Sequence, residues 1–496
     1  MSSYILAIDQ GTTGTTVVLV DASGRAVDKV NHEFPQIFPK PGWVEHNLED
    51  IWGTVVQGIE KLFRKTGIDP KSIVAVGITN QRETVGIWEK SSGKPIANAI
   101  VWQCRRTTDR CNKIKKNTAK KRAIMKKTGL VVDPYFSGSK IEWLLKNVSG
   151  AKAKAKAGKV VAGNIDTYLI WKLSGGQSHV TDVSNASRTM LMDLAKGDWD
   201  PMLMKTFGVP RNILPEILPS SGEFGVTKGV PGLPDGIPIS GVAGDQQAAL
   251  FGQTCFKEGE SKCTFGTGSF ILMNTGSKVV RSRSGLLTTV AWQLKGDKKL
   301  TYALEGGAFV CGAAVQWLRD GLGMIHSSSE IEALAGQVDD NGGVQFVPAL
   351  TGLGAPYWNA EARGLITGLT RGATKNHIAR ATLEAMALQN VDILTAMQKD
   401  LKKPMKELRV DGGAAANNLL MQLQADYLGK TVLRPELIET TVAGAAYLAG
   451  LGVGFWKSTS DIKNVWAIEQ EFKSRMKPAA RRNRLTDWKK AVERAL

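Results

Sequence analysis

Apolar and polar positions near the start of the chain predict strands. Tyr4 to Ile8 is apolar, Asp9-Gln10-Gly11-Thr12-Thr13-Gly14 is polar and glycine-punctuated, and Thr15 to Val20 is β-branched. This pattern predicts two strands joined by a tight hairpin with a polar tip. A third strand is predicted near Arg25 to Phe34. Trp52, Val55, Val56, Ile59, Leu62 and Phe63 then recur at helical spacing, with Asn47 and Asp50 placed as an N-cap pair. Ile73 to Thr79 is again β-rich and runs into Asn80-Gln81-Arg82-Glu83, which puts charged groups at a strand's carboxyl end, where open α/β sheets bind ligands.

The same plan returns past the middle. Cys263 to Met273 repeats strand, Gly/Thr turn and strand, while Ile239 to Phe251 and Leu408 to Asn418 each pass from an apolar strand through a glycine turn into a helix. The recurrence predicts two α/β domains, residues 1–252 and 253–496, with a cleft between them. Length agrees, because 496 residues exceed what one core holds. Thr440 to Trp456 lacks charge, but Gly444, Gly450, Gly452 and Gly454 suit a closely packed helix and turn better than a membrane span.

Composition narrows the class. Apolar residues make up 43% and charged residues 22%, as in an ordered globular protein. The net charge of +18 is scattered apart from two runs, Lys113 to Lys127 and Ala151 to Lys159. Neither run interleaves aromatics for base stacking, so solvated helix faces are expected and nucleic-acid binding is not. Five cysteines without CxxC spacing indicate neither a disulfide framework nor a zinc site. The opening MSSYILAIDQ lacks a signal-peptide pattern, and a soluble, cytoplasmic protein without a membrane span is the expectation.

Phosphoryl transfer needs cradled phosphates, neutralised charge and a positioned acceptor hydroxyl. Gly11 and Gly14 allow close backbone approach, Thr12, Thr13, Thr15 and Thr16 offer donors, and Asp9 suits magnesium. The second turn, Gly266-Thr267-Gly268-Ser269, is placed to grip the phosphates from the other side. Walker and protein-kinase signatures are both missing from the sequence, which points to another phosphotransferase type. Asp245 follows a glycine at a strand end, where its position alone leaves two roles open: acceptor of the hydroxyl proton, or cap of a helix. Arg82 and Glu83 could equally be an exposed ion pair.

Ten ordered motifs carry a resemblance: AIDQGTT (7–13), PGWVEH (41–46), GITNQRET (77–84), AIVWQCRRT (99–107), DPYFSG (133–138), TDVSNASRTM (181–190), GDQQAALFG (244–252), FGTGSF (265–270), TGLGAPYW (351–358) and RVDGGAAANN (409–418). Over nearly its full length the chain resembles the FGGY carbohydrate kinases, in particular those acting on glycerol. The resemblance implies two ribonuclease-H-like domains of the actin and hexokinase type, with an active-site cleft between them. It further implies ATP- and Mg2+-dependent conversion of glycerol to sn-glycerol 3-phosphate by a homo-oligomer, dimer or tetramer. Arg82, Glu83, Tyr135, Asp245 and Gln246 would bond the glycerol hydroxyls, and Trp102 and Phe270 would pack on its carbon edge. Asp245 would be the base and would share the metal with Asp9. Thr12, Thr13, Gly14, Thr16, Gly266 and Thr267 would meet the phosphates, and Gly312, Gln316, Gly413 and Asn417 would contact the nucleotide.

Three departures stand out. Gly14-Thr15-Thr16 replaces a segment that in the family usually ends in a phosphate-directed arginine. Gly236 stands where relatives inhibited by fructose 1,6-bisphosphate carry arginine, so that inhibition is not expected. Arg475 to Arg484 is more basic than the segment through which enteric relatives meet a sugar-transport regulator. The competing expectations are an FGGY kinase for a pentulose or gluconate, against which Arg82, Glu83, Trp102 and Tyr135 argue, and a non-catalytic actin-like nucleotide binder, against which Asp9 and Asp245 argue.

Overall fold

The computed structural model describes residues 3–437 and 439–496, which fold around two mixed sheets. The first comprises β1 (Tyr4–Gln10), β2 (Gly14–Val20), β3 (Ala26–Glu33), β4 (Ile73–Asn80), β5 (Ser221–Val226) and β6 (Pro238–Gly244) in the order β5-β6-β4-β1-β2-β3. Strands β1, β4 and β6 run parallel, whereas β2, β3 and β5 pair antiparallel with their neighbours. β1 is apolar on both faces because both are covered. Leu6 and Ile8 meet Ile51, Val55, Ile59 and Leu62 of helix α1 (Leu48–Thr66), while Ile5 and Ala7 turn to a second core. The Asn47 side chain accepts the Glu49 N–H at 2.9 Å to cap α1, and Asp50 lies in the first turn.

The second sheet comprises β7 (Ser261–Phe265), β8 (Ser269–Gly276), β9 (Leu287–Trp292), β10 (Thr301–Ala308), β11 (Glu407–Asp411), β12 (Thr431–Pro435) and β13 (Ile468–Phe472), ordered β9-β10-β8-β7-β11-β12-β13. It repeats the six strands of the first sheet and adds β9 at one edge. β7 and β8 form the hairpin, β7 pairs parallel with β11, β11 pairs parallel with β12, and β13 closes the edge antiparallel, as β1, β2, β4, β6 and β5 do. Two α/β units on one ribonuclease-H-like plan account for the recurring motifs. By this correspondence β11 is the counterpart of β4, the strand that ends at Asn80 just before Arg82, and β12 is the counterpart of β6.

Helix α2 (Asp245–Gly252) follows β6, and helix α3 (Thr440–Val453) follows β12; together they fill the space between the sheets. Glycine allows this pairing: a methyl on Gly444 would overlap the Ala248 carbonyl, and one on Gly252 would overlap the Thr440 carbonyl. The 440–456 stretch is thus a helix, Thr440–Val453, packed along most of its length and ended by a turn at Gly454, and no helix among the described residues is long and apolar enough to cross a membrane. A smaller sheet formed by 45–46, 99–100, 85–89 and 160–164 builds a separate core beside the first unit and carries the aromatic side of the site. The lysines of the two basic runs lie mostly on exposed helix faces.

Candidate active site

Arg82 and Glu83, just past β4, are 3% and 1% exposed, so they are not a solvent-exposed pair. Arg82 Nε lies 3.0 Å from Asp245 Oδ1. Its Nη1 and Nη2 donate to Glu305 Oε2 and Oε1 at 2.6 and 3.0 Å, and Nη1 also donates to Gln247 Oε1 at 3.2 Å. Glu83 Oε1 accepts from Arg188 Nε at 2.6 Å, and Arg188 Nη2 reaches Glu305 Oε1 at 2.9 Å. Glu83 holds a left-handed backbone (φ 62°), a costly state for a side chain with a Cβ and one that clusters at functional sites. Its carbonyl is pinned by Lys140 Nζ at 2.9 Å and Ser137 Oγ at 3.1 Å, and Lys140 also donates to the Tyr135 carbonyl at 2.7 Å.

Asp245 is the first residue of α2, and the cap position belongs to Gly244. The Asp245 side chain remains 31% exposed and accepts the Gln246 N–H at 2.7 Å. Burial raises its carboxyl above the ordinary aspartate value, against the opposing pull of Arg82. Asp9, next to the end of β1, makes no side-chain hydrogen bond or ion pair among the described residues; burial and the Asp245 charge raise it to about 7. Asp9, without a counter-charge of its own, and the partly exposed Asp245 are a pair of carboxylates that suits a hard cation such as Mg2+. Gln246 Oε1 accepts from the buried Lys262 Nζ, which also donates to Thr264 Oγ1 at 2.7 Å.

The aromatic wall stands beside the first hairpin. Trp102 and Tyr135 meet edge to face at 5.7 Å, and Trp102 Nε1 donates to Thr12 Oγ1 at 2.9 Å. Phe270 comes from β8 of the second sheet and packs against Gly307, where a Cβ would stand 3.1 Å from its ring.

The hairpin tips differ slightly from expectation. Strand β1 continues through Asp9 to Gln10, so the first tip is Gly11 to Thr13, closed by the Gly11 N–H to Gly14 carbonyl bond at 2.9 Å. Thr13 is exposed and Thr12 half-buried, but Thr15 is turned inward to Thr54 Oγ1 at 2.8 Å and offers nothing to a ligand. Thr16 Oγ1 accepts from Asn31 Nδ2 at 2.9 Å. At the second tip Gly266 and Thr267 are exposed and Ser269 is buried on Asn390. Gly312 at the start of helix 312–320 donates to the Gly266 carbonyl at 3.0 Å, and Gln316 is exposed one turn on. Gly413 is exposed after β11, while Asn417 spends Oδ1 on the Leu420 N–H to cap helix 418–428.

Arg188, Glu305, Lys262 and Lys140 escaped the sequence-based prediction. A local signal existed for two of them: Glu305 and Lys262 are lone charges inside buried strands, TYALEGGA and SKCTF, and a buried charge demands a partner.

The FGGY N-terminal domain model matches residues 4–252 and the C-terminal domain model matches 261–453. The glycerol kinase of Bdellovibrio bacteriovorus is 62% identical over 494 residues, covering 100% of this chain and 99% of that protein. The Myxococcus xanthus glycerol kinase is 54% identical over the same shares. Plasmodium falciparum glycerol kinase, solved with ADP, superposes with a TM-score of 0.93 at 39% identity, covering 100% of this chain and 98% of that one. A Lactobacillus acidophilus gluconate kinase shares the fold, with a TM-score of 0.89 at 23% identity over 99% of this chain and 97% of its own. The duplicated sheet, the motifs along its strand ends and full-length identity above one half agree, and the chain belongs to the FGGY family of carbohydrate kinases.

Proposed function

We propose that the chain phosphorylates glycerol with ATP, giving sn-glycerol 3-phosphate and ADP, in a cleft between units that divide near residue 252. The observation that carries this is the Asp245 carboxylate, partly exposed and facing Arg82 Nε at 3.0 Å, in a chain 62% identical to a glycerol kinase. Glycerol has three hydroxyls on a short carbon chain, so a selective site needs several fixed polar partners and an apolar wall. Arg82, Glu83, Tyr135, Asp245 and Gln246 supply the first; Trp102 and Phe270 supply the second.

Asp245 takes the proton of a terminal hydroxyl as that oxygen attacks the γ-phosphorus in line. The new O–P bond forms while the β,γ-bridge breaks and ADP leaves. The raised pKa brings the base closer to neutrality than an ordinary aspartate. Backbone donors and hydroxyls of Thr12, Thr13, Gly14 and Thr16 on one tip, and of Gly266 and Thr267 on the other, hold the phosphates. Gly312, Gln316, Gly413 and Asn417 Nδ2 face the rest of the nucleotide. Asp9 and Asp245 would hold Mg2+, which when bound neutralises phosphate charge.

Incubation of the purified protein with Mg-ATP and glycerol, dihydroxyacetone, xylulose or ribulose tests the proposal. Glycerol should give the highest kcat/KM; preference for a pentulose would overturn it. Fructose 1,6-bisphosphate should leave the rate unchanged, because Gly236 offers no cation.

A further inference from the structure

The charges buried behind the alcohol site come from both sheets. Glu305 lies on β10, yet its carboxylate grips the Nη edge of Arg82 at 2.6 and 3.0 Å and also takes Nη2 of Arg188. Arg82, Arg188 and Glu305 are 3%, 0% and 2% exposed. Burial alone would raise the Glu305 carboxyl, but the guanidinium groups of Arg188 and Arg82 override it and hold it at about 2.

A guanidinium has five N–H donors in one rigid plane. On Arg82, Nη1 donates to Glu305 and Gln247, Nη2 donates once to Glu305, and Nε is directed at Asp245. One Nη2 hydrogen is left for a substrate oxygen. The two-point grip fixes the plane, and fixing the plane fixes where the Nε–H and that last hydrogen point. Arg188 sits behind, bonded to both Glu305 and Glu83, without reaching solvent.

We propose that Glu305 is a positioning residue for the reaction: from the second sheet it clamps the Nη edge of Arg82, aiming the remaining Arg82 donors at Asp245 and at the acceptor alcohol. The proposal rests on glycerol as acceptor at this site. The alcohol site, built almost wholly from the first half of the chain, then takes its alignment from the second. A misaligned Arg82 would weaken glycerol far more than ATP, because among the described residues the Arg82 side chain makes no hydrogen bond or ion pair with either hairpin tip.

The test is steady-state kinetics on the full chain carrying Glu305→Gln, which keeps the shape and removes the charge, and Glu305→Asp, which keeps the charge one methylene short. Glu305→Gln should raise the glycerol KM tenfold or more and leave the ATP KM within twofold, with Glu305→Asp intermediate. Should Glu305→Gln fail to fold, the same split is read from Glu305→Asp, with glycerol KM up threefold or more. Unchanged glycerol KM, or equal rises in both KM values, would overturn the clamp. Glycerol left unphosphorylated by the unmutated protein would instead overturn the glycerol assignment, so the two failures are distinguishable.

Discussion

The indole Nε1–H of Trp102 donates to Oγ1 of Thr12 across 2.9 Å, tying the aromatic wall of the alcohol site to the first hairpin tip. The two substrates therefore share a support. Trp102→Phe keeps an aromatic ring against Tyr135 and removes the donor together with part of the indole. A hydrogen bond of this kind contributes about 1 kcal/mol, or about fivefold in an equilibrium constant. KM values for glycerol and ATP should both rise, by up to about fivefold. Steady-state kinetics with each substrate varied in turn checks this; a change confined to glycerol would show that the bond transmits nothing.

Asp245→Asn removes the base while keeping the shape of the side chain. Turnover should drop by roughly 10²–10⁴-fold if Asp245 accepts the hydroxyl proton. Glycerol binding, measured by calorimetry, should survive in part, since Arg82 and Gln246 remain. Near-normal turnover would take Asp245 out of that role.

Beside the first tip, at the start of β2, Thr16 stands where a cation is lacking, and its hydroxyl makes only an exposed bond to Asn31. Thr16→Arg should therefore lower the ATP KM several-fold and make it more salt-dependent, because the added charge would act from the solvent-accessible start of β2 beside the tip. A rise in the ATP KM would mean that the tip already binds phosphate well without it.

His46 links pH to the same tip. Its Nε2 bonds Gln36 Oε1 at 2.9 Å, and its Nδ1 faces Gln81 Nε2 at 3.2 Å, which in turn lies 3.1 Å from the Gly11 carbonyl. Neutral imidazole satisfies both glutamines, donating at Nε2 and accepting at Nδ1; protonation would set two donors face to face. Burial lowers His46 to about 4, as it does the half-buried His179. The unfolded chain, with histidines near their usual 6.5, binds more protons between these values. The histidine contribution to stability should thus be full above about pH 6.5 and decline as pH falls toward about 4, whereas Asp9, raised to about 7, contributes with the opposite sign over the same range. Melting temperatures from pH 7.5 to 5, compared between the unmutated protein and His46→Gln, isolate the His46 contribution: the unmutated protein should lose stability relative to the variant as pH falls, while His179 acts alike in both. An unchanged slope would show that His46 titrates normally.

Much of this was legible in the residues. Apolar alternation and the β-branched runs placed β1, β2, β4, β6, β7 and β8, and the echo of one Gly/Thr turn by another revealed the duplicated plan before any topology was known. Asp9, Arg82, Glu83 and Asp245 were recognisable as strand-end groups, because a strand's end is marked locally by the switch from apolar to glycine and polar residues. The fate of individual donors was not legible: Thr15 reads like Thr12 and Thr16 in sequence, yet strand register turns it inward onto Thr54.

The sequence by itself thus determined the family, the two sheets and the strand ends that carry the chemistry, since each follows from short-range periodicity and motif. The tertiary structure alone decided which charges neutralise which. Arg82 and Glu305 are 223 residues apart, and Arg188 lies between them in the chain. Nothing local marks these three as partners, because an ion pair across two sheets depends on how the sheets pack and on the cost of leaving a buried charge alone.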